Sequence, residues 1–268
     1  MKVKQYIVTY NNEREINNCL RTIFSSLSEE ELSMLEINII NNHSNFNLHD
    51  EYVGKVNVLH NTLRPDFSTG HLARSWNQAI INGFKDLNNP DCDIVITNQD
   101  DMEFRVNYLN TLIEIHKTYD LVQCKTGDAL ISYTPNAIKR IGLWDERFCN
   151  IGYHEGDYFI RAVLYHRDKV SLNEYGHERR CNYIGSMDNI VNMDYKGGLA
   201  RNEPYHIESM KYHSHSHKIF TTKWGDAKFE KWNADEISND LKPLIPSFIY
   251  YPYFEFAIET LKEQNFII

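Results

Sequence analysis

The segment "DIVITNQDDMEF", from Asp93 to Phe104, passes from an apolar, β-branched run directly into two adjacent carboxylates. Such a run is typical of a buried strand. Neighbouring carboxylates repel each other, so they are usually solvated, hydrogen-bonded or bound to a cation. Asp100 and Asp101 therefore form either a polar turn after a strand or part of a site.

The segments before this strand indicate an α/β fold. Strand-like runs, "VKQYIVTY" (3–10), "LEINIINNHS" (35–44) and "KVNVLHN" (55–61), alternate with helical patterns over 11–27 and 70–84. This alternation predicts a mostly parallel central sheet that is flanked by helices.

Polar residues stand where three of these strands end. They are Thr9–Asn12, Asn41–Ser44 and Gln99–Asp101. In open parallel sheets, ligands bind in the crevice beyond the carboxyl ends of the strands. Three polar strand ends that meet at one edge favour a binding site over a simple turn.

The second half of the chain contains shorter elements and a distinct tail. We expect a helix, two short strands and two further helices, at 105–119, 121–125, 128–133, 135–142 and 154–166. From about 170 the pattern is loop-rich. We predict one domain over 1–235 and an aromatic C-terminal extension over 236–268, which could form a homodimer surface or simply cover the sheet.

Composition limits the class of protein. A net charge of −9 over 268 residues argues against a nucleic-acid partner. The five cysteines are scattered without a CxxC pair, which favours reduced thiols over a disulfide framework. We find neither a signal peptide nor an apolar run of about twenty residues, so we expect no transmembrane segment. The expected location is the cytoplasm, either free or peripheral to a membrane or assembly site.

Seven motifs, in this order, resemble those of the family 2 inverting glycosyltransferases, which have the GT-A fold. They are "IVTYNNERE", "NNHS", "ARSWNQA", "NQDD", "GDALISYTPNAIKRIGLWDERF", "HEGDYFIR" and "HSHSHKIFTTKWG". The resemblance covers about residues 3 to 225. It implies transfer of a sugar from a nucleoside-diphosphate donor, for which we expect UDP, to a hydroxyl of a glycan or glycoconjugate.

The resemblance implies a divalent cation, Mn²⁺ or Mg²⁺, on the donor diphosphate. Asp101 would be the carboxylate that contacts the metal, and Asp100 would lie near the ribose or a metal-bound water. The first acid of the usual triplet is replaced by Gln99, so a strict D-x-D is absent unless Asp101 and Glu103 serve as the pair.

One histidine of "YHSHSHK" would complete the metal site, and His213 is the best candidate. On an extended segment His213, His215 and His217 would face the same side and could themselves bind zinc, whereas on a helix they would spread around it. Solvated histidines remain the structural alternative.

The same resemblance assigns a nucleotide pocket. Its residues would be Thr9, Tyr10, Asn11, Glu13, Asn41, Arg74, Asn77 and Asp100. For the asparagines that follow the strands, a role as turn formers competes with ligand contact. For Arg74, the competitor is a structural salt bridge.

For the acceptor side, the resemblance makes Glu155 the general base that takes the proton of the acceptor hydroxyl. Asp157 is a second candidate, with N-capping as its structural alternative. Because both lie at a predicted helix N-terminus, we expect the helix dipole to lower the pKa of these carboxyls.

Three further residues are candidates for substrate contact. Trp144 could stack on an acceptor sugar, although core packing is the commoner fate of a tryptophan. Lys223 and Trp224 could close over the diphosphate or the donor, and Trp224 could equally be a packing residue.

Two other functions compete with glycosyl transfer. A sugar nucleotidyltransferase would use a similar core, but the Gly-rich, basic phosphate loop expected after its first strand is absent. A catalytically silent nucleotide- or glycan-binding module would explain Gln99 and Asn41, which replace acids. The retained acids at 100, 101, 155 and 157 argue against that module.

Overall fold

The computed structural model describes residues 1–42, 44–61, 71–124, 127–148, 153–171, 191–193 and 212–225. The predicted extension over 236–268 lies outside them. In order, the elements are β1 Val3–Thr9, α1 Glu13–Ser26, α2 Glu29–Met34, β2 Leu35–Asn42, β3 Asn57–Asn61, α3 His71–Phe84, β4 Ile94–Gln99, β5 Met102–Phe104, α4 Tyr108–His116, β6 Leu121–Cys124, β7 Leu130–Tyr133, α5 Pro135–Ile141, α6 Tyr153–His166, β8 Val170–Ser171, β9 Val191–Met193 and α7 His213–Trp224. Short 3₁₀ turns occupy Asp50–Tyr52 and Arg167–Lys169.

Within the described part of the chain the main sheet has seven strands in the order β3-β2-β1-β4-β7-β6-β8. All of them run in the same direction except β7, which is antiparallel to both of its neighbours. The predicted fold class, a mostly parallel α/β sheet flanked by helices, is confirmed. A second, two-stranded sheet pairs β5 with β9.

The sheet is buried on both faces because its side chains alternate between two cores. Tyr6 and Val8 of β1 point to the core that contains α3, α5 and α6. Val3 and Ile7 of the same strand point to the core that contains α1 and α4. A strand that is buried on both faces is rich in apolar residues, as in the "IVI" of β4.

The antiparallel strand β7 determines where the site is built. Since β7 runs antiparallel to β4, the turn before β7 lies at the carboxyl end of β4. There the backbone N–H of Gln99 donates to the Ala129 carbonyl at 3.0 Å. The sequence predicted a strand over 128–133, but the strand begins at Leu130, and Asp128 belongs to the turn. This turn is therefore at the same edge as the ends of β1 and β4.

The described cysteines Cys19, Cys92 and Cys124 are buried free thiols, in agreement with the expectation for this part of the chain. Cys149 and Cys181 lie outside the described residues. Among the described helices, none has the length and apolar character required to cross a bilayer.

Gly83, near the end of α3, allows this helix to approach the sheet closely. A Cβ at this position would overlap Cγ2 of Val95 on β4. Overpacking of this kind costs about 1–3 kcal/mol, whereas the gain in helix propensity from glycine to alanine is about 1 kcal/mol. We therefore expect Gly83→Ala to lower the free energy of unfolding, measured by urea denaturation.

The matched control for this prediction is the double variant Gly83→Ala/Val95→Ala. If the clash is the cause, Val95→Ala will cost less free energy in the Gly83→Ala background than in the wild type. Additive effects, or a stabilised Gly83→Ala protein, would contradict the packing argument.

Candidate functional site

The end of β4 carries a buried carboxylate, Asp100, that is held by the segment after β1. Thr9 Oγ1 donates to Asp100 Oδ2 at 2.6 Å, and Asn12 Nδ2 donates to Asp100 Oδ1 at 3.1 Å. Burial raises the pKa of Asp100 to about 7; the two hydrogen bonds oppose this shift, and the neighbouring Asp101 adds to it. Two of the three polar strand ends, those of β1 and β4, are therefore in direct contact.

Asp101 follows in the β4–β5 turn and is also buried, with 3% of its surface exposed. Glu103 lies on β5 and accepts a hydrogen bond from Asn18 of α1 at 3.2 Å. The alternative of a fully solvated turn is thus wrong for the two aspartates, because both are buried.

Gln99 connects the end of β4 to a second polar cluster. Its Nε2 donates to Asp128 Oδ1 at 2.8 Å. Trp76 Nε1, on α3, donates to Asp128 Oδ2 at 2.6 Å, and His154 Nε2, on α6, lies 3.0 Å from the same oxygen. Gln99 replaces an acid of the family pattern, and in this structure its amide serves as a donor that an acid could not supply.

Glu155 lies beside Asp128, in the first turn of α6. The Asp128 backbone N–H donates to Glu155 Oε1 at 3.3 Å. Gly127 has a φ of +59°, and a Cβ at this position would fall on Glu155 Oε1. The turn at 127–128 therefore closes over the carboxyl group at a distance that only glycine permits.

The pKa of Glu155 moves in the opposite direction to the sequence-based expectation. Burial and the negative charge of Asp128 raise it to about 8, while the charge of His154 acts in the other direction. The expected lowering by the helix dipole is therefore wrong for Glu155, since a dipole contributes about 0.3–1 kcal/mol at an exposed site and desolvation of a buried carboxylate contributes several.

Asp128 is the ionised member of the pair. Burial favours its neutral form, but the hydrogen bond and charge of His154, together with the Trp76 donor, outweigh burial, so that the pKa of Asp128 lies below its usual range. One proton is thus held by two neighbouring carboxyl groups, and it resides on Glu155.

Asp128, His154 and Glu155 are also the one group of three or more metal-binding side chains found among the described residues, with ligand atoms within 4.8 Å of one another. Both oxygens of Asp128 already accept N–H donors from Gln99 and Trp76. We interpret the group as a hydrogen-bonded cluster that shares a proton. It contains neither Asp101 nor His213, which the resemblance selected as metal ligands.

Asp157 belongs to a separate ionic cluster in the core. It is fully buried, accepts from Arg161 Nε and from Trp224 Nε1 at 2.9 Å each, and pairs with Lys223. Lys223 also reaches Asp145 Oδ2 at 3.1 Å. Asp157 is the fifth residue of α6, so the N-cap alternative is wrong, and both of its carboxylate oxygens are engaged by buried partners.

The same cluster includes two residues of the "KWG" segment. Lys223 and Trp224 are 0% and 4% exposed, and their polar atoms contact Asp145 and Asp157. A side chain that closes over a donor needs a free polar end. In this structure these two side chains instead fix α7 against α6, and their predicted donor contact stays a prediction.

Trp144 is a core residue. It is fully buried, its ring stacks on Tyr158 with 4.1 Å between centroids, and its Nε1 donates to Tyr133 Oη at 3.1 Å. In this structure Trp144 therefore takes the structural alternative of core packing, and its predicted stacking on an acceptor sugar stays a prediction.

Arg74 and Asn77, one turn apart on α3, both contact the loop before α6. Asn77 forms a pair of hydrogen bonds with the Trp144 backbone, at 2.8 and 3.0 Å, and donates to Glu146 Oε1 at 2.8 Å. Arg74 Nε lies 3.6 Å from Glu146 Oε2, so the alternative of a salt bridge is present, on a half-exposed side chain. The polar groups of Asn77 are engaged in positioning this loop.

Other predicted nucleotide contacts divide into engaged and exposed residues. Asn41 is 1% exposed; its amide donates to the Ser44 carbonyl and contacts His60 Nδ1, and its oxygen accepts from Ser44. Glu13 accepts from the Asn47 backbone at 2.9 Å. Asn11 is exposed with a φ of +50°, and Tyr10 is half-buried.

The histidines of "YHSHSHK" lie on helix α7 and therefore do not share one face. His213 and His217 are one turn apart, and their rings contact Tyr153 at 5.1 and 5.3 Å between centroids, while His215 is exposed. The extended alternative, with three ligands on one side, is wrong.

The sequence-based reasoning missed Asp128 and His154, although both lie within the quoted motifs "GDALISY" and "HEGD". A Gly-Asp pair directly before an apolar strand resembles an ordinary turn, which is why it carried no signal. The partners of Asp128 are 26 to 52 residues away in the sequence.

No protein-family model matches the sequence, and no curated protein matches it. Similar solved structures include residues 1–349 of S. aureus TarS in complex with UDP, which is 14% identical, covers 86% of this chain and 77% of that chain, and has a TM-score of 0.47. The mannosyltransferase PcManGT from Pyrobaculum calidifontis, in complex with GDP-Man and Mn²⁺, is 14% identical, with coverages of 67% and 58% and a TM-score of 0.42.

Glucosyl-3-phosphoglycerate synthase from Mycobacterium tuberculosis is 12% identical, with coverages of 65% and 68% and a TM-score of 0.44. The chain spans only 34% of another TarS structure and 58% of the mannosyltransferase. At these identities and TM-scores, the likenesses do not determine an activity, and the function has to be inferred from the site itself.

The protonated state of Glu155 makes a prediction about stability. Because its pKa is about 8 in the folded protein and near 4.5 when exposed, folding binds a proton, and stability is lost as the pH rises through this window. Glutamine mimics the protonated form. We expect Glu155→Gln to become more stable than the wild type by about 1–3 kcal/mol at pH 8–9, a gain of several degrees in Tm.

The check is the difference in Tm between Glu155→Gln and the wild type, measured from pH 5 to pH 9. It should be near zero at pH 5 and grow with pH. Glu114→Gln, an exposed site on α4, provides the control and should give a flat difference. A difference that does not change with pH would contradict the assigned proton.

Proposed function

We propose that the chain is a glycosyltransferase that moves a sugar from a nucleoside-diphosphate donor, UDP-linked in our expectation, to a hydroxyl of a glycan or glycoconjugate. The observation that carries the proposal is the position of Glu155. It is a buried acid at the carboxyl edge of the sheet, and it shares a cluster with Gln99 at the end of β4. The resemblance places the base at this residue.

The proposed chemistry is an inverting displacement with Glu155 as the general base. The oxygen of the acceptor hydroxyl forms a bond to the anomeric carbon as the bond from that carbon to the diphosphate oxygen breaks, and the electron pair leaves with the diphosphate. The hydroxyl proton passes to the Glu155 carboxylate. A pKa of about 8 supports this role, since a stronger base accepts the proton more readily near neutral pH.

Glu155 has to be ionised before it can accept a proton. The transfer rate should therefore rise with pH until about pH 8, with donor binding changing less over this range. The proton that Glu155 gains during transfer is stabilised by the negative charge of Asp128 beside it.

The proposed donor side is the end of β4. Asp101 offers hard carboxylate oxygens of the kind that Mn²⁺ and Mg²⁺ prefer, and its burial next to Asp100 concentrates negative charge at this point. Asp101 therefore fits the cation that the resemblance implies. When bound, the cation would supply charge stabilisation to the diphosphate leaving group.

Asp100 has a supporting role in this proposal. Both of its oxygens accept hydrogen bonds, from Thr9 and Asn12, which fix the turn that carries Asp101. Tyr10, Asn11 and Glu13, beside these residues, remain proposed contacts of the nucleotide, as does Arg74. A second ligand from His213 remains a proposal that rests on the resemblance alone.

The donor side is tested with Asp101→Asn. We expect the wild type to be stabilised by one nucleoside diphosphate, UDP first, only when Mn²⁺ is present, and the variant to lose this stabilisation and its turnover. The measurement is a thermal-shift series with UDP, GDP, CDP and dTDP, with and without Mn²⁺.

Asp93→Asn is the matched control for that series, because Asp93 lies at the opposite end of β4 and binds the Lys2 backbone. It should respond to nucleotide as the wild type does. If the wild type responds to no nucleotide, a donor site at the end of β4 is excluded, and if Asp101→Asn responds normally, the metal assignment is wrong.

The acceptor side is tested with Glu155→Gln. Glutamine keeps the size and the hydrogen bond to the Asp128 N–H but cannot take a proton. We expect donor affinity to be unchanged and the transfer rate to fall about 10²–10⁴-fold, as is typical when a general base is removed. Calorimetric donor binding and the rate of sugar transfer provide the two readouts.

Asp157→Asn distinguishes the two acids of the "HEGD" motif. Asp157 holds Arg161, Lys223 and Trp224, so we expect the main effect of this variant to be a lower free energy of unfolding. Unchanged transfer in Glu155→Gln would show that the base is another residue.

A further inference from the structure

The turn formed by Gly127 and Asp128 has a geometry that serves Glu155. The Asp128 backbone N–H donates to the carboxyl group of Glu155. The same carboxyl group occupies the space that a Cβ on Gly127 would fill. A positive φ is common to several β-turn types, but a turn with no role at Glu155 would not require this close approach to its carboxyl group.

The Asp128 side chain is fixed in one orientation by three different elements. Trp76 from α3 and His154 from α6 contact Oδ2, and Gln99 at the end of β4 donates to Oδ1. Asp128 is 1% exposed and His154 2% exposed. A buried carboxylate with a donor on each oxygen cannot rotate without losing a hydrogen bond.

We propose that the Gly127–Asp128 turn is the positioning element of the base: Gly127 admits the Glu155 carboxyl group, Asp128 is its fixed negative neighbour, and His154 is the opposing positive one. This inference rests on the proposed function for the identity of the reaction. It assigns Asp128 and His154 roles that act through Glu155 and not on the substrate.

The physical effect is a balance of two charges on one proton site. Among the described residues, the charged groups that act on Glu155 are Asp128, from the turn before β7, and His154, from its own helix. Asp128 stabilises the protonated form of Glu155, and His154 stabilises the ionised form. During transfer the proton moves from the acceptor hydroxyl to Glu155, and no other bond in the cluster changes.

The geometric part is tested with Gly127→Ala. The added methyl group would displace the Glu155 carboxyl group, so we expect the transfer rate to fall at least about tenfold with donor affinity unchanged. Gly54→Ala is a matched control, since Gly54 also has a positive φ, +79°, but has nothing within 4 Å of a Cβ. It also places an alanine at a positive φ, and it should keep the wild-type rate relative to its folded fraction.

Equal losses of rate in the two alanine variants would overturn the positioning role, because backbone strain alone would then explain them. If Gly127→Ala does not fold, the charge variants Asp128→Asn and His154→Gln decide the question. In Asp128→Asn the donors on one oxygen are retained, and a rotation of the Gln99 amide satisfies the new NH₂ group.

The charge variants should shift the pH–rate profile in opposite directions. Removal of the negative charge in Asp128→Asn should move the ascending limb to lower pH by about one unit or more. Removal of the positive charge in His154→Gln should move it to higher pH. Shifts in the same direction, or no shift, would overturn the proposal. A merely structural role would lower the rate of both variants without moving their ascending limbs in opposite directions.

A measurement without substrate separates this inference from the proposed function. The proton on Glu155 can be titrated by NMR of ¹³C-carboxyl-labelled glutamate, with Glu155→Gln to assign the signal. If the wild type transfers no sugar but Asp128→Asn lowers the observed pKa and His154→Gln raises it, the proposed function fails and the coupling stands. If neither variant changes the titration, the coupling fails, whatever the activity.

Discussion

The buried carboxylate of Asp128 is the interaction on which the site depends. A charge at 1% exposure persists only if hydrogen-bond donors replace its water. Those donors come from α3, from the end of β4 and from the start of α6, so one side chain brings together three elements that are distant in the sequence. Its own backbone N–H then binds Glu155. The position of Glu155 and the proton it carries both follow from this arrangement.

Two acids on the same helix have different roles because their surroundings differ. Glu155 is buried beside another carboxylate, and both its burial and this negative charge raise its pKa and favour its protonated form. Asp157, two residues further along α6, meets Arg161, Lys223 and the Trp224 N–H, and forms part of a network that joins α6 to α7. Successive residues of a helix point about 100° apart, so residues two apart contact different neighbours. A motif such as "HEGD" cannot by itself distinguish a base from a structural acid.

The two adjacent aspartates at the end of β4 also differ in their surroundings. Asp100 is held by Thr9 and Asn12, which joins β1 to β4 and defines the edge of the crevice. Asp101 continues into the turn to β5. Several residues that the resemblance placed around a nucleotide, Asn41 and Asn77 in particular, have their polar groups engaged with nearby backbone, so they shape the loops around the crevice. Other amide side chains hold the acids directly, since Asn12 donates to Asp100 and Gln99 donates to Asp128.

The sequence by itself determined the fold class, the order of most elements and the edge of the sheet where the polar residues meet. These features follow from local patterns, because alternation of apolar segments and polar strand ends is visible within windows of about ten residues. Tertiary structure decided which charged and polar side chains are neighbours. It placed Asp128 and His154 beside Glu155, buried Trp144 under Tyr158, and used Lys223 to neutralise Asp145 and Asp157. A pKa or a buried ion pair depends on neighbours dozens of residues away. The strand β7 was visible in the local sequence, but its antiparallel pairing with β4, which brings these neighbours together, has no local signature.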